Sequence, residues 1–155
     1  MTRRLHNMYR LKWYCRLLLL SSLFACKQPH AELLQALRTV DEHLLPTGHY
    51  VIIPNQGCEG CISTAEDFVK RHYASAADVK YIFTRAQSFK LLRIKLGNEV
   101  MSSSKVLVDS GNVIRYPEKE KDIYPMIVTM KDGEITGLKY QSPEEDGLGV
   151  VLEAK

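Results

Sequence analysis

The chain has 155 residues, of which 45% are apolar and 25% are charged, as expected for one ordinary domain. The formal net charge is +3, but five of the 21 basic residues and none of the 18 acidic residues lie within the first 25 positions. The rest of the chain therefore carries a formal charge of −2. This balance removes the main support for nucleic-acid binding, which requires a basic surface.

The first 25 residues have the pattern of an export signal. Basic residues, among them Arg10 and Arg16, precede an apolar run formed by Leu17 to Leu20 and Leu23 to Ala25. This run is shorter than the ~20 apolar residues that a membrane-spanning helix needs. We therefore predict a cleaved signal peptide over residues 1–25 rather than a permanent transmembrane anchor.

The signal ends in Leu23-Phe24-Ala25-Cys26, which resembles the lipobox of bacterial lipoproteins. In such proteins the cysteine is lipidated and becomes the new N-terminus. Phe24 departs from the usual small or aliphatic residue, and cleavage by an ordinary signal peptidase, leaving Cys26 as a free thiol, is the alternative. The resemblance predicts lipidation of Cys26, a tether over residues 26–30 and a lipoprotein anchored on the periplasmic side of the cell envelope.

Hydrophobic periodicity predicts alternating helices and strands in the remainder of the chain. Predicted helices cover residues 31–45, 58–73 and 86–96, and predicted strands cover residues 50–53, 78–83, 105–109, 125–130 and 134–140. Asp132-Gly133 supplies the positive φ of a tight hairpin, and Ser142 marks the start of a short terminal helix. We therefore predict one α/β domain over residues 31–155, with a mixed central sheet and helices on both faces.

Cys58 and Cys61 form a Cys-x-x-Cys motif between a predicted buried strand and a predicted helix, the layout of a dithiol redox site. If Cys15 leaves with the signal and Cys26 carries lipid, they are the remaining thiol pair, in a compartment that permits disulfides. The N-terminus of a helix stabilises a thiolate. The hypothesis is that Cys58 is the nucleophile and that Cys61 resolves the mixed disulfide.

Two other uses of the cysteine pair are open. A zinc site needs about two further Cys or His ligands, and His30, His43, His49 and His72 show no paired ligand spacing. A purely structural disulfide is the stronger alternative, although a loop this short gains little stability from closure. We predict no metal and no dissociable cofactor.

A second motif occurs at the expected place relative to the cysteines. Cys58-Glu59-Gly60-Cys61 follows the first predicted buried strand, and Tyr124-Pro125 directly precedes the strand–Asp-Gly–strand hairpin. This combination, over residues 50–140, resembles the thioredoxin superfamily. The segment Val106–Asp109 resembles an insertion of its exported, membrane-anchored members. The resemblance implies a thioredoxin-like fold in which Pro125 is cis and packs beside the dithiol.

The same resemblance implies an activity and its partners. Such proteins exchange disulfides with the cysteines of client proteins, and a partner thiol–disulfide protein donates or accepts the electrons. Tyr124, Pro125, Glu59 and Gly60 are expected to line the client-binding groove. We therefore predict an exported thiol–disulfide oxidoreductase that contacts the membrane through its lipid anchor.

Three residues depart from the thioredoxin pattern. Gly57 replaces a tryptophan, Ile52 replaces a buried proton-accepting aspartate, and Tyr124 replaces a smaller residue before the proline. Glu66 and Asp67 are predicted to be solvated charges on the helix face, so neither substitutes for the missing acid. The alternative function is a non-enzymatic lipoprotein that binds a partner or ligand at the equivalent groove.

The dipeptide between the cysteines influences the redox chemistry. Glu59 places negative charge near the thiolate of Cys58, which is expected to raise the pKa of that thiol and to favour the disulfide. Gly60 leaves the loop less rigid than the proline of thioredoxin would. The combination favours a reductant or an isomerase-like exchanger.

Overall fold

The structure is a computed structural model, and it describes residues 30–75 and 78–153. The predicted signal peptide, the lipidation site at Cys26 and all of the tether except His30 lie outside the described residues. Within the described ranges, no helix combines the length and the apolar character that crossing a membrane requires.

The described residues form a single mixed sheet with helices. The helices are α1 (Ala31–Val40), α2 (Glu59–His72), α3 (Phe89–Leu96), α4 (Asn98–Met101) and α5 (Gly149–Glu153), with a 3-10 turn at Lys119–Lys121. The strands are β1 (Gly48–Pro54), β2 (Val79–Thr84), β3 (Val106–Asp109), β4 (Met126–Lys131) and β5 (Glu134–Tyr140). Their order is β3-β2-β1-β4-β5, in which β1 to β3 are parallel and β4 and β5 run antiparallel to their neighbours.

The predicted α/β class is confirmed, and the five-stranded mixed sheet is consistent with a thioredoxin-like fold. Alternate side chains of β1 enter two separate cores, because successive residues of a strand point to opposite faces. Val51 and Ile53 pack with α2, α3 and α5, whereas Tyr50 and Ile52 pack with α1. All four side chains are fully buried, which explains the continuous apolar run in the sequence.

Helix α1 is shorter than predicted, because it ends at Val40 instead of continuing to residue 45. Asp41 leaves the helix and is only 4% exposed. Its carboxylate accepts hydrogen bonds from the Lys80 Nζ at 2.6 and 2.8 Å and from the Tyr50 hydroxyl at 2.5 Å. The last predicted helical turn is therefore absent, because Asp41 pairs with Tyr50 of β1 and Lys80 of β2.

Other sequence predictions agree with the structure in substance. Helix α2 covers nearly the predicted range, and helix α3 lies within the predicted helix of residues 86–96. Helix α3 begins at Phe89 because the Ser88 Oγ accepts a hydrogen bond from the Leu91 N–H at 3.3 Å. Asp132 and Gly133 have φ of 53° and 80°, as the predicted hairpin turn requires.

The prediction for the C-terminal segment is wrong in position. The Ser142 Oγ accepts from the backbone N–H groups of Glu144 and Glu145, but these residues form a turn rather than a helix. A Cβ on Gly147 would lie 2.6 Å from the carbonyl oxygen of Tyr140, so the chain packs closely against the end of β5 here. Helix α5 begins only after this contact.

Glu66 was predicted to be solvated, and this prediction is wrong. Its side chain is buried, and its carboxylate lies 2.7 Å from the Lys95 Nζ of α3. The pairing joins α2 to α3 and compensates the burial of the carboxylate. Asp67, the next residue, is exposed as predicted.

We expect Asp41→Ala to lower the free energy of unfolding by ~3 kcal/mol, because it leaves the Lys80 ammonium without its buried partner. Urea denaturation followed by circular dichroism measures this loss. Asp67→Ala is the matched control, since it removes an exposed partner of Lys70 at 3.6 Å and is expected to cost less than ~1 kcal/mol. Equal losses in the two variants would contradict the role assigned to Asp41.

Candidate dithiol site

Cys58 and Cys61 form a disulfide at the N-terminus of α2, with their Cα atoms 5.3 Å apart. Cys58 is the N-cap residue and is half-buried, whereas Cys61 lies in the first turn and is 8% exposed. The Cys58 Sγ accepts a hydrogen bond from the Cys61 N–H at 3.4 Å. A sulfur atom arriving from outside therefore meets Cys58 before Cys61.

The position of the pair follows from the sheet. Strand β1 ends at Pro54, and the Asn55 N–H donates to the Thr84 carbonyl at 3.0 Å, which continues the ladder with β2 by one bond. The chain then turns at Gly57 and starts α2, whose unpaired N–H groups and dipole favour negative charge at its first turn. A thiolate formed at Cys58 on reduction would occupy this favourable position.

The loop before β4 contacts the motif directly. The Cys58 N–H donates to the Ile123 carbonyl at 3.0 Å. Gly57 has φ of 142°, and a Cβ on it would overlap the Ile123 carbonyl oxygen and lie 2.6 Å from the Ile123 Cα. Glycine therefore stands where thioredoxin has tryptophan because two backbone segments touch at this point.

Sequence analysis did not identify Ile123. The residue is 40% exposed, and its backbone contacts Gly57 and Cys58. The sequence did contain one signal for this residue. An isoleucine directly follows the charged run from Glu118 to Asp122, in a loop where polar residues are expected. An exposed apolar residue is therefore fixed through its backbone at the start of the dithiol helix.

The resemblance implied a cis bond before Pro125, and the structure corrects this. The described residues contain no cis peptide bond, so Tyr124–Pro125 is trans. Trans is the intrinsic preference of such a bond by about 0.5–1 kcal/mol. Pro125 is buried and its carbonyl accepts from the Gln141 N–H at 2.8 Å, while Tyr124 is half-buried against the α1-side core. The residue that reaches the dithiol is Ile123.

Arg85 fixes the loop that carries Ile123. Its guanidinium lies 3.2 Å from the Asp122 Oδ2, donates to the Asp122 carbonyl, and sits 5.4 Å from the centre of the Tyr116 ring. Its backbone N–H donates to the Asn112 Oδ1 at 3.0 Å. Arg85 directly follows β2, so this one residue ties the loop to the end of the sheet beside the motif.

The start of the same loop is held by a buried carboxylate. Asp109, at the end of β3, accepts from the Thr84 hydroxyl at 2.9 Å and from the N–H groups of Val113 and Ile114 at 2.9 and 3.0 Å. These three donors compensate its burial. Asp109 therefore fixes the start of the loop. Its carboxylate oxygens are occupied by these donors and do not serve as a proton acceptor for Cys61.

No acid occupies the position below the motif that thioredoxin uses. Ile52 is fully buried in the α1-side core. The buried acids among the described residues are Asp41, Glu66 and Asp109, and each is paired elsewhere, with Lys80, with Lys95 and with Thr84 respectively. The missing proton-accepting acid that the sequence indicated is therefore not replaced by another buried acid among the described residues.

A groove of about 610 Å³ borders the loop on the side of α1. It is lined by charged and aromatic side chains, among them Arg85, Arg115, Tyr116, Lys119 and Asp122. Burial raises the pKa of the Tyr116 hydroxyl, which stays protonated at neutral pH. Sequence analysis placed the client groove at Tyr124 and Pro125 and missed this surface, because its residues come together only when the loop folds back on α1.

Glu59 and Gly60, the residues between the cysteines, are both exposed in the first turn of α2. Within residues 30–75 and 78–153, no group of three or more His, Cys, Asp or Glu side chains is arranged to hold a metal ion. No family model, curated protein or solved structure matches this chain. Its function is therefore inferred from the fold and the site alone.

We expect Gly57→Ala to lower the free energy of unfolding of the oxidised protein by ~1–3 kcal/mol, because alanine is strained at this φ and overlaps Ile123. Gly60→Ala is the matched control two residues inside the helix start, since a Cβ there meets nothing within 4 Å. It is expected to be neutral or to stabilise by up to ~1 kcal/mol. Urea denaturation of both variants checks the difference, and a neutral Gly57→Ala would refute the close contact.

Proposed function

We propose that this protein is an exported, lipid-anchored thiol–disulfide exchange protein that acts on the cysteines of client proteins. The observation that carries the proposal is the disulfide between half-buried Cys58, at the N-terminus of α2, and buried Cys61. The sheet, consistent with a thioredoxin-like fold, supports it. Anchoring through Cys26 is part of the proposal and derives from the lipobox, and a multiply acylated N-terminus would hold the chain firmly at a membrane.

The chemistry is a sequence of two thiolate displacements. In the reducing direction, the Cys58 thiolate attacks one sulfur of a client disulfide and releases the other as a thiolate. The Cys61 thiolate then attacks the Cys58 Sγ, closes the intramolecular disulfide and releases the second client thiolate. Two electrons pass to the client, whose thiolates take up the protons that Cys58 and Cys61 lost. A partner thiol–disulfide protein reduces the pair again, and oxidation of a client follows the reverse path.

Client binding would use the surface around the accessible sulfur. Ile123 offers an exposed apolar side chain beside Cys58, and Glu59 and Gly60 are exposed at the start of the helix. Tyr124 and Pro125 would offer a client little surface, since Tyr124 is half-buried and Pro125 is buried. The exposed apolar surface predicts a preference for clients with an apolar residue next to the cysteine.

We expect Cys61→Ser to accumulate a covalent complex with a synthetic peptide that contains one intramolecular disulfide, because the mixed disulfide at Cys58 can no longer be resolved. The whole chain has four cysteines, so the test uses a Cys15→Ser, Cys26→Ser background. Mass spectrometry detects the complex, and dithiothreitol should dissolve it. Cys58→Ser in the same background is the control and should form far less complex. Equal amounts with both variants, or none with either while the parent lacks reductase activity, would exclude the proposed exchange.

A second function has its own support. Ile52 occupies the position of the proton-accepting acid, and the trans bond before Pro125 differs from the thioredoxin arrangement. Both observations favour a non-enzymatic lipoprotein that binds a partner or ligand at the same groove, with a structural disulfide. The peptide-trapping experiment separates the two functions, because a structural disulfide transfers no electrons to the peptide.

The reduction potential of the Cys58–Cys61 pair gives the direction of exchange. We expect a value closer to about −270 mV than to about −120 mV, because the negative charge of Glu59 disfavours the thiolate and so favours the disulfide. Equilibration with dithiothreitol or glutathione buffers, followed by thiol alkylation, measures it. Glu59→Gln should shift the potential to a higher value, and a parent value near −120 mV would instead indicate an oxidant.

A further inference from the structure

Helix α3 has apolar side chains on two opposite sides. Leu92 and Leu96 are buried in the core that α3 shares with α2. Leu91 and Ile94, in contrast, are 65% and 71% exposed, and Phe89 at the start of the helix is exposed as well. A helix that only covers a sheet needs one apolar side, so the outward side requires a separate explanation.

Basic side chains flank this outward apolar side. At 100° per residue, Ile94 lies opposite the buried side and Leu91 lies next to it, with Lys90 on one flank and Lys95 on the other. Arg93 extends along the helix, and its guanidinium lies 5.0 Å from the centre of the Phe89 ring. The eight residues of α3 contain no acidic side chain.

The acidic groups of neighbouring elements cancel only part of this charge. Glu66 of α2 pairs with the Lys95 Nζ at 2.7 Å and neutralises it, which leaves Lys90 and Arg93 as the excess positive charge of α3. Glu99 of α4 raises the pKa of the Tyr73 hydroxyl and therefore lies on the side of α4 that faces the end of α2. The surface around Ile94 therefore combines apolar side chains with an excess of positive charge.

We propose that α3 docks on an anionic lipid surface through Leu91 and Ile94. Apolar side chains of an interfacial helix enter the boundary between headgroups and acyl chains, and flanking lysines and arginines reach the anionic headgroups along their flexible stems. Lys90 and Arg93 supply this charge, while Lys95, which is paired with Glu66, contributes its apolar stem. A protein partner would need acidic groups placed beside a two-residue apolar patch, whereas an anionic bilayer presents negative charge along the whole helix.

Docking of α3 would orient the domain relative to the bilayer. Two or three apolar side chains give a weak membrane contact on their own, so α3 would orient a chain that is already held near the surface by another segment. Because α2 and α3 cover the same face of the sheet, docking places this face toward the bilayer. The inference does not depend on the dithiol chemistry and is tested separately from it.

The experiment places a tryptophan at the patch in the full chain. Trp13 is the one tryptophan of the sequence, so Trp13→Phe provides a silent background. Ile94→Trp reports on α3, and Thr136→Trp, exposed on β5 at the sheet edge opposite β3, is the matched control. Because residues 1–29 contain their own apolar run, the readout must be local. It is quenching of tryptophan fluorescence by brominated acyl chains in phosphatidylglycerol or phosphatidylcholine vesicles.

We expect strong quenching and a blue shift for Ile94→Trp in phosphatidylglycerol vesicles, little in phosphatidylcholine vesicles, and little for Thr136→Trp in either. Lys90→Gln added to Ile94→Trp should weaken the local insertion about fivefold, since each basic side chain near an anionic surface contributes roughly that factor. Lys131→Gln, at an exposed lysine of β4, should leave it unchanged. High salt should reduce the quenching.

Three results would overturn the proposal. Equal quenching of the two tryptophan variants would mean that the chain is held only by its N-terminal segment. Quenching that does not depend on lipid charge would remove the role of the basic flanks. Absence of quenching, together with dimers that Ile94→Glu dissociates in sedimentation experiments, would assign the patch to an interface between copies of this chain.

Discussion

The hydrogen bond from the Cys58 N–H to the Ile123 carbonyl is the contact on which the site depends. It joins the start of the dithiol helix to the loop that enters β4, and it is short enough only because Gly57 has no side chain. The loop in turn is held by Arg85, which follows β2, and by Asp109, which ends β3. The dithiol is therefore supported from three strand ends at the same edge of the sheet.

This support differs from a preformed catalytic pocket. The buried acids of the fold hold backbone and neighbouring elements in place, and Ile52 is fully buried at the position where thioredoxin has a carboxylate. In the proposed exchange, deprotonation of Cys61 would then depend on water or on the leaving thiolate of the client.

The sequence predicted those parts of the structure that have local causes. The apolar run of β1, the Asp132-Gly133 turn and the helix after Cys58 follow from side-chain alternation, positive φ and helix periodicity, and all three are present. The pairing partners were not predictable in this way. Asp41 and Glu66 have the appearance of solvated helix charges until Lys80 and Lys95 approach them from other elements.

The same distinction applies to the site. The Cys-x-x-Cys spacing of Cys58 and Cys61 is a local pattern, so the sequence predicted it. Which residue contacts Cys58 from the opposite side depends instead on the path of the loop between β3 and β4. The resemblance placed a cis Pro125 beside the dithiol, whereas in the structure the Tyr124–Pro125 bond is trans and the backbone of Ile123 contacts Cys58. This contact joins residues that are far apart in the chain, so no local side-chain pattern encodes it.

The long separation between Cys58 and Ile123 in the chain has a consequence for biogenesis. In the export proposed above, the chain would cross the membrane with its N-terminus first, and both cysteines would arrive well before residue 123. Until then the motif would lack its facing backbone, and its thiols would be open to any oxidant in the new compartment. The site would then be completed only when the second half of the chain has arrived, because its contacts join distant parts of the sequence.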